Sequence, residues 1–141
     1  MISTVEKVLF LKGVELFGQI AGEDLAQIAQ IADEVEFEHG QVIIREGDLG
    51  DSLFLIISGQ VRVHQGEREI AKLGERQVFG EMALLDSEPR SASVSALSEV
   101  TLLRIQQEDF LDILTEKAEI ALGIIKVLSR RLRNALKQGG Q

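Results

Sequence analysis

The residues best suited to chemistry lie together between positions 79 and 94. Gly80 stands between a strand-like run and the segment 81–85, which can form one or two helical turns. A strand–glycine–helix junction exposes backbone N–H groups and allows a ligand to approach the chain closely. Pro89 then fixes a turn, and Arg90 follows it, next to three small residues. A guanidinium in such surroundings can bind a phosphate group through paired hydrogen bonds.

Glu81 is the unexpected member of this segment, because a carboxylate repels an anionic ligand. It fits a ligand that also carries a sugar hydroxyl, since the carboxylate can accept a hydrogen bond while Arg90 and backbone amides bind the phosphate. A ribose phosphate carries both groups. The residue types alone leave a second interpretation open, in which Glu81 and Arg90 form a structural ion pair near a turn.

The periodicity of the sequence changes from helical to β and back to helical. Apolar residues recur at helical spacing in 3–12 and again after Ala21. From about Val35, seven glycines within 41 residues separate short β-branched runs, as in strands joined by turns. The strands are predicted at 42–44, 53–57, 61–64, 91–96 and 100–105. Many short strands with regular turns favour a barrel or jelly roll.

A long C-terminal helix is predicted over about 116–137. Its apolar stripe consists of residues spaced by four, three, four and three, namely Ala121, Ile125, Leu128, Leu132 and Ala135. Such a helix has one face to bury, so we expect it to lie across the barrel or to pair with a second copy. The chain of 141 residues fits one domain, with N-terminal helices in 1–34, the barrel in 35–105 and C-terminal helices in 106–138.

The net charge of −8 argues against direct nucleic-acid binding, since phosphate neutralisation needs a basic face. The segment 116–141 differs, because it carries six basic and two acidic residues and is therefore +4. The six basic residues are Lys117, Lys126, Arg130, Arg131, Arg133 and Lys137. Two interpretations fit this charge: a solvated helix with cations near its C-terminal end, or a docking surface for an acidic partner.

Several classes of protein and site are disfavoured by composition. No run approaches the length of a membrane span, and the absence of cysteine excludes disulfides, iron–sulfur clusters and thiolate zinc sites. His39 and His64 are the two histidines, too few and too far apart to favour a metal site. No nucleophile with a base partner or triphosphate loop is apparent. We therefore expect a cytoplasmic binding protein without catalytic residues, metal or cofactor.

The segment 79–94 closely resembles the phosphate-binding cassette of cyclic nucleotide-binding domains, the family of the catabolite activator protein and the protein kinase A regulatory subunit. The resemblance rests on Phe79-Gly80-Glu81-Met82-Ala83, on 89–94, and on 46–59, which is similar to the family's first hairpin. It covers about 16–137. It implies a mainly β fold: a double-stranded β-helix (jelly-roll) barrel with a short cassette helix, N-terminal helices and a long C-terminal lid helix.

The resemblance also implies roles for individual residues. Arg90 would pair with the phosphate oxygens, while the amides of Ser91 and Ala92 would donate hydrogen bonds to them. Glu81 would accept a hydrogen bond from the ribose 2′-hydroxyl, helped by the Gly80 amide. The expected ligand-binding residues are Phe79, Gly80, Glu81, Met82, Ala83, Arg90, Ser91 and Ala92.

In this family the last helix usually covers the base of the nucleotide. The candidate lid residues are Arg131, Leu132, Asn134, Ala135 and Leu136. Ordinary helix packing and surface exposure are the alternative for these positions. The resemblance implies that ligand binding is coupled to movement of this helix and is read by a fused or separate effector domain.

The residue after the key arginine bears on the choice of nucleotide. In the family, threonine at this position tends to accompany cGMP and alanine accompanies cAMP, whereas serine occurs in the catabolite activator protein. Ser91 therefore favours cAMP over cGMP. The alternative is a degenerate domain of the same fold, kept for protein–protein contact, but the intact Gly80, Glu81 and Arg90 favour ligand binding.

Overall fold

Helices at both ends of the chain flank eight strands in the computed structural model, which describes residues 1–139. The helices are α1 (Thr4–Lys12), α2 (Gly22–Ile31), α3 (Gln107–Glu116) and α4 (Ala118–Gln138). Two short 3₁₀ helices accompany them: the N-terminal 3₁₀ segment (Glu15–Phe17) and the cassette 3₁₀ segment (Glu81–Leu84). The strands are β1 (Ala32–Phe37), β2 (Val42–Ile44), β3 (Ser52–Ser58), β4 (Val61–Gln65), β5 (Arg68–Leu73), β6 (Val78–Phe79), β7 (Ser93–Ala96) and β8 (Val100–Gln106).

The strands form two four-stranded antiparallel sheets, in the orders β1–β8–β3–β6 and β2–β7–β4–β5. Successive side chains of a strand point to opposite faces, so one strand can serve two cores. Phe54 and Ile56 of β3 pack in the cluster shared by the two sheets, whereas Leu53 and Leu55 pack against the helices. This sandwich with flanking helices confirms the predicted mainly β, jelly-roll fold.

The helical layer holds the N-terminal 3₁₀ segment against α3 and α4. The rings of Phe17 and Phe110 lie 5.9 Å apart in a core that excludes solvent from both. Ile120 and Ile124 of α4 are buried in the same core. This layer fixes where α4 passes the cassette. None of the helices within residues 1–139 has both the length and the apolar character needed to cross a bilayer.

Several predicted boundaries were wrong. β1 begins at Ala32, not near Val35, and β7 begins at Ser93 rather than at 91. The C-terminal helix predicted over 116–137 begins at Ala118, because Lys117 adopts φ −126° and ψ 89°, which separates α3 from α4. β5 was absent from the predicted strands.

The apolar stripe predicted for the last helix is not its buried face. The buried residues of α4 are Ile120, Gly123, Ile124 and Val127. Ile125 and Leu132 of the predicted stripe are 58% and 62% exposed. The helix is apolar on two neighbouring sides, and the side next to the predicted stripe packs on the rest of the molecule.

Candidate functional site

The side chain of Arg90 is held in place by the start of β3. Its Nη2 donates a hydrogen bond to the carbonyl oxygen of Ser52 at 3.0 Å. Its backbone N–H donates to the Asp48 carbonyl at 2.7 Å, and its own carbonyl accepts from the Gly47 N–H at 2.9 Å. The loop before β3 therefore fixes the backbone of Arg90, and the first residue of β3 fixes its guanidinium.

Two glycines leave the space that this guanidinium occupies. A Cβ atom at Gly80 would lie 2.5 Å from Nη1 of Arg90 and 2.7 Å from the Ser52 carbonyl oxygen. A Cβ atom at Gly50 would lie 2.9 Å from Cβ of Ala83 and 3.2 Å from Cζ of Arg90. Gly80 also has φ 73°, in the left-handed region that favours glycine. At both positions a side chain would crowd the arginine and a neighbouring atom, the Ser52 carbonyl oxygen at Gly80 and Cβ of Ala83 at Gly50.

Arg90 lies beside an open cavity and is partly buried. Burial lowers the pKa of its guanidinium below the ordinary value, and the nearby Asp51 carboxylate opposes that shift. An arginine remains charged in either case. The cavity has a volume of about 430 Å³ and is lined by Phe79, Gly80, Glu81, Met82, Ala83, Arg90 and Ser91, with neighbours from the same loop. A partly desolvated cation at a cavity wall is suited to binding an anion.

Glu81 begins the cassette 3₁₀ segment, where its carboxylate meets a cation from α4. Nη2 of Arg131 lies 2.7 Å from Oε1 of Glu81. Nε of the same guanidinium donates to Oε1 of Glu15 at 2.5 Å, and Nη1 lies 3.8 Å from the sulfur of Met82. Burial lowers the pKa of Arg131, but hydrogen bonds to Glu15 and Glu81 outweigh it, so the pKa stands above its ordinary value. The cassette is thereby tied to the last helix.

The geometry thus combines a fixed guanidinium, an amide-rich glycine junction and a carboxylate around one cavity. A family model described as "Cyclic nucleotide-binding domain" matches residues 34–117, which include the cavity and both sheets except the first two residues of β1. The chain belongs to this family.

Known proteins are similar in sequence to this cyclic nucleotide-binding domain. The "Cyclic AMP receptor protein" of Thermus thermophilus is 38% identical over 130 residues, covering 89% of this chain and 60% of that protein. The "cAMP-dependent protein kinase regulatory subunit" of Emericella nidulans is 39% identical, covering 72% of this chain and 25% of that protein. The chain therefore spans only part of both relatives.

A solved structure resembles the domain over nearly its whole length. It is the N-terminal domain of a transcriptional regulator from Streptomyces coelicolor A3(2), with a TM-score of 0.86 and 30% sequence identity. The match covers 92% of this chain and 94% of that chain. The arrangement of sheets and flanking helices is therefore one that a solved N-terminal domain of a transcriptional regulator shares.

Most of the predicted ligand-binding residues are brought together at the cavity. Seven of the eight line it, and Ala92 is the one outside the lining set. The backbone around Ala92 is still held in place, because Gln65 donates a side-chain hydrogen bond to the Ser91 carbonyl at 2.8 Å. The cassette of the cyclic nucleotide-binding domain is thus braced by β4 as well as by β3.

The predicted lid residues are divided in the structure. Arg131 reaches the cassette through Glu81 and Met82. The side chains of Leu132, Asn134, Ala135 and Leu136 are exposed on α4. The structure thus places a single lid candidate, Arg131, in contact with the cassette of the cyclic nucleotide-binding domain.

Three residues outside the cassette support the site and were not predicted from the sequence. Ser52 contributes a backbone carbonyl, which every residue type carries, so its side chain gave no signal. Asp51 was included only as part of the predicted hairpin in 46–59, although its charge acts on Arg90. Glu15 was not considered, because it lies 116 positions from Arg131 in sequence.

Proposed function

We propose that the domain binds a cyclic mononucleotide in the cavity beside the cassette and regulates an effector through α4. The observation that carries the proposal is the Arg90 guanidinium, which is fixed on the Ser52 carbonyl and partly buried at the wall of a cavity that Glu81 also lines. Arg90 would bind the phosphate with the Ser91 and Ala92 amides, and Glu81 would accept from the ribose. No bond is formed or broken in this role.

cAMP is the nucleotide we propose first, ahead of cGMP. Ser91 lines the cavity directly after the phosphate-binding arginine. Both relatives described above are named for cyclic AMP. Calorimetric titration of the domain with cAMP and with cGMP tests the proposal, with saturable binding of both and tighter binding of cAMP expected. Absence of heat with either nucleotide would favour the alternative, a degenerate domain used for protein–protein contact.

The ribose contact gives a prediction that uses a modified ligand. A hydrogen bond to a charged group contributes about 1.5–3 kcal/mol, so 2′-deoxy-cAMP should bind the wild type more weakly than cAMP by about 1–3 kcal/mol. Glu81→Ala should largely remove that difference. Calorimetry with two ligands and two proteins forms a thermodynamic cycle. Additive effects of the two changes would argue against direct contact between Glu81 and the hydroxyl.

Movement of α4 is the coupling we propose, because Arg131 connects this helix to the ribose-binding carboxylate. A ligand shifts a conformational equilibrium only by its difference in affinity for the two states. We expect cAMP to slow amide exchange in 124–136 as well as in 79–94, with hydrogen-exchange mass spectrometry as the measurement. Protection confined to 79–94 would mean that the domain binds without moving its last helix.

The exposed side of α4 suggests what the helix pairs with. Ile125, Leu132 and Leu136 are 58%, 62% and 59% exposed, and they continue a helical spacing. Lys126, Arg130, Arg133 and Lys137 occupy other sides of the helix, so a second copy can approach this stripe without direct charge repulsion. We therefore include homodimer formation through α4 in the proposal. Exchange of 124–136 that slows with rising protein concentration, before any ligand is added, supports it.

A further inference from the structure

Glu15 lies outside the cavity but holds the arginine that contacts the cavity's carboxylate. It is in the N-terminal 3₁₀ segment and 72% of its side chain is exposed. Its Oε1 accepts a hydrogen bond from Nε of Arg131, while Nη2 of that guanidinium lies 2.7 Å from Oε1 of Glu81. One planar guanidinium therefore binds two carboxylates from distant parts of the chain. Because its donors form a rigid fork, the position of Glu15 sets the direction in which Nη2 points.

The pairing of Glu81 has a consequence for its second oxygen. A carboxylate has two oxygens and about four acceptor positions, and Arg131 lies against Oε1. Oε2 is then the oxygen available to a ligand hydroxyl. A guanidinium released from Glu15 can turn to the bidentate geometry that arginine prefers with carboxylates. That geometry would engage both oxygens of Glu81 at the expense of the ligand.

We propose that Glu15 is a positioning residue for the ribose contact. By holding Nε of Arg131, it keeps the guanidinium on one oxygen of Glu81 and leaves the other for the 2′-hydroxyl. This inference rests on the proposed cyclic nucleotide binding. It means that the N-terminal 3₁₀ segment contributes to the strength of the hydrogen bond between Glu81 and the ribose. The segment and α4 are joined at the same point, so a shift of either would change the ribose contact.

The test is a set of calorimetric titrations with cAMP and 2′-deoxy-cAMP at low ionic strength. Glu15→Gln should lower the affinity for cAMP about two- to fivefold, the range expected for a solvent-exposed ion pair. The affinity for 2′-deoxy-cAMP should remain nearly unchanged. In an Arg131→Gln background, Glu15→Gln should have no further effect, because it acts through that guanidinium. The Glu15→Gln effect should shrink at high salt. Glu23→Gln is the matched control: Glu23 is an exposed carboxylate in the first turn of α2.

Other outcomes separate failure of this assignment from failure of the proposed function. The positioning role is overturned if Glu15→Gln lowers the affinity for both ligands equally. It is also overturned if the effect of Glu15→Gln persists in the Arg131→Gln background. Unchanged cAMP binding by Glu15→Gln overturns it as well, while the proposed function stands. A wild type that binds neither cAMP nor cGMP overturns both. Arg131→Lys provides a second route if Glu15→Gln fails to fold. An ammonium cannot form the fork that would engage both oxygens of Glu81, so the preference for cAMP over 2′-deoxy-cAMP should not fall in this variant. A fall in that preference would contradict the competition between Arg131 and the ribose for Glu81.

Discussion

Replacing Arg90 with alanine is expected to weaken cAMP binding by about 2–5 kcal/mol, because the bound phosphate would be left without its charged partner. The guanidinium is already fixed on the Ser52 carbonyl, so little of its binding energy is spent on ordering the side chain. The Asp51 carboxylate opposes the lowering of the Arg90 pKa by burial, and in the variant it would remain as an unbalanced negative charge. Calorimetric titration of the variant gives the loss directly.

Two further substitutions make this result specific to the guanidinium. Arg90→Lys should lose a substantial part of the affinity, since an ammonium keeps the charge but cannot form two parallel hydrogen bonds. Arg68→Ala removes an arginine that is exposed at the start of β5 and should bind cAMP like the wild type. Binding by Arg90→Ala within about threefold of the wild type would exclude Arg90 as the phosphate ligand.

The cassette could be predicted from sequence because its signals are local. Gly80, Pro89 and Arg90 restrict the backbone or supply charge at fixed spacing, and these effects do not depend on the rest of the chain. The short helix after Gly80 forms where expected, as a 3₁₀ segment. Local chemistry singled out Gly80, Glu81 and Arg90, and the resemblance to the family supplied the rest of the expected set, but the partners of these residues in other strands could not be inferred from either.

The orientation of α4 could not be predicted, because two of its sides are apolar. Adjacent residues of a helix differ by about 100° around the axis, so a stripe through Ile125 and one through Ile124 point in different directions. Both stripes have helical spacing. The choice depends on the N-terminal 3₁₀ segment, against which Ile124 and not Ile125 is buried. The contact of Arg131 with Glu81 follows from that choice and was equally inaccessible from the sequence.

β5 was missed for a related reason. It lies at the edge of its sheet, next to β4 alone, and most of its side chains are exposed. Edge strands commonly carry charged residues, which prevent pairing with other chains but weaken the alternation that identifies a strand. In Arg68–Leu73 three of six residues are charged. The hydrogen bonds to β4, not the burial of apolar side chains, define this strand.

Gly80→Ala is expected to destabilise the domain and its nucleotide site together, and Gly40→Ala separates the two causes. Both glycines have positive φ, 73° and 89°, so each alanine adds roughly 1–2 kcal/mol of backbone strain. A Cβ atom at Gly40 meets nothing within 4 Å, whereas at Gly80 it would lie 2.5 Å from Nη1 of Arg90. Gly80→Ala should therefore lower the free energy of unfolding by about 1–3 kcal/mol more than Gly40→Ala. Urea denaturation measures this difference.

The same comparison tests whether Gly80 serves the ligand as well as the fold. Displacing the guanidinium from the Ser52 carbonyl should reduce cAMP affinity at least about tenfold in Gly80→Ala, with little change in Gly40→Ala. In an Arg90→Ala background the added methyl group has lost one of its two close neighbours, so Gly80→Ala should destabilise the domain less there. The Ser52 carbonyl remains, so some destabilisation should persist. Equal losses in both backgrounds would mean that the left-handed backbone and the Ser52 carbonyl, and not the close approach of Arg90, require glycine at this position.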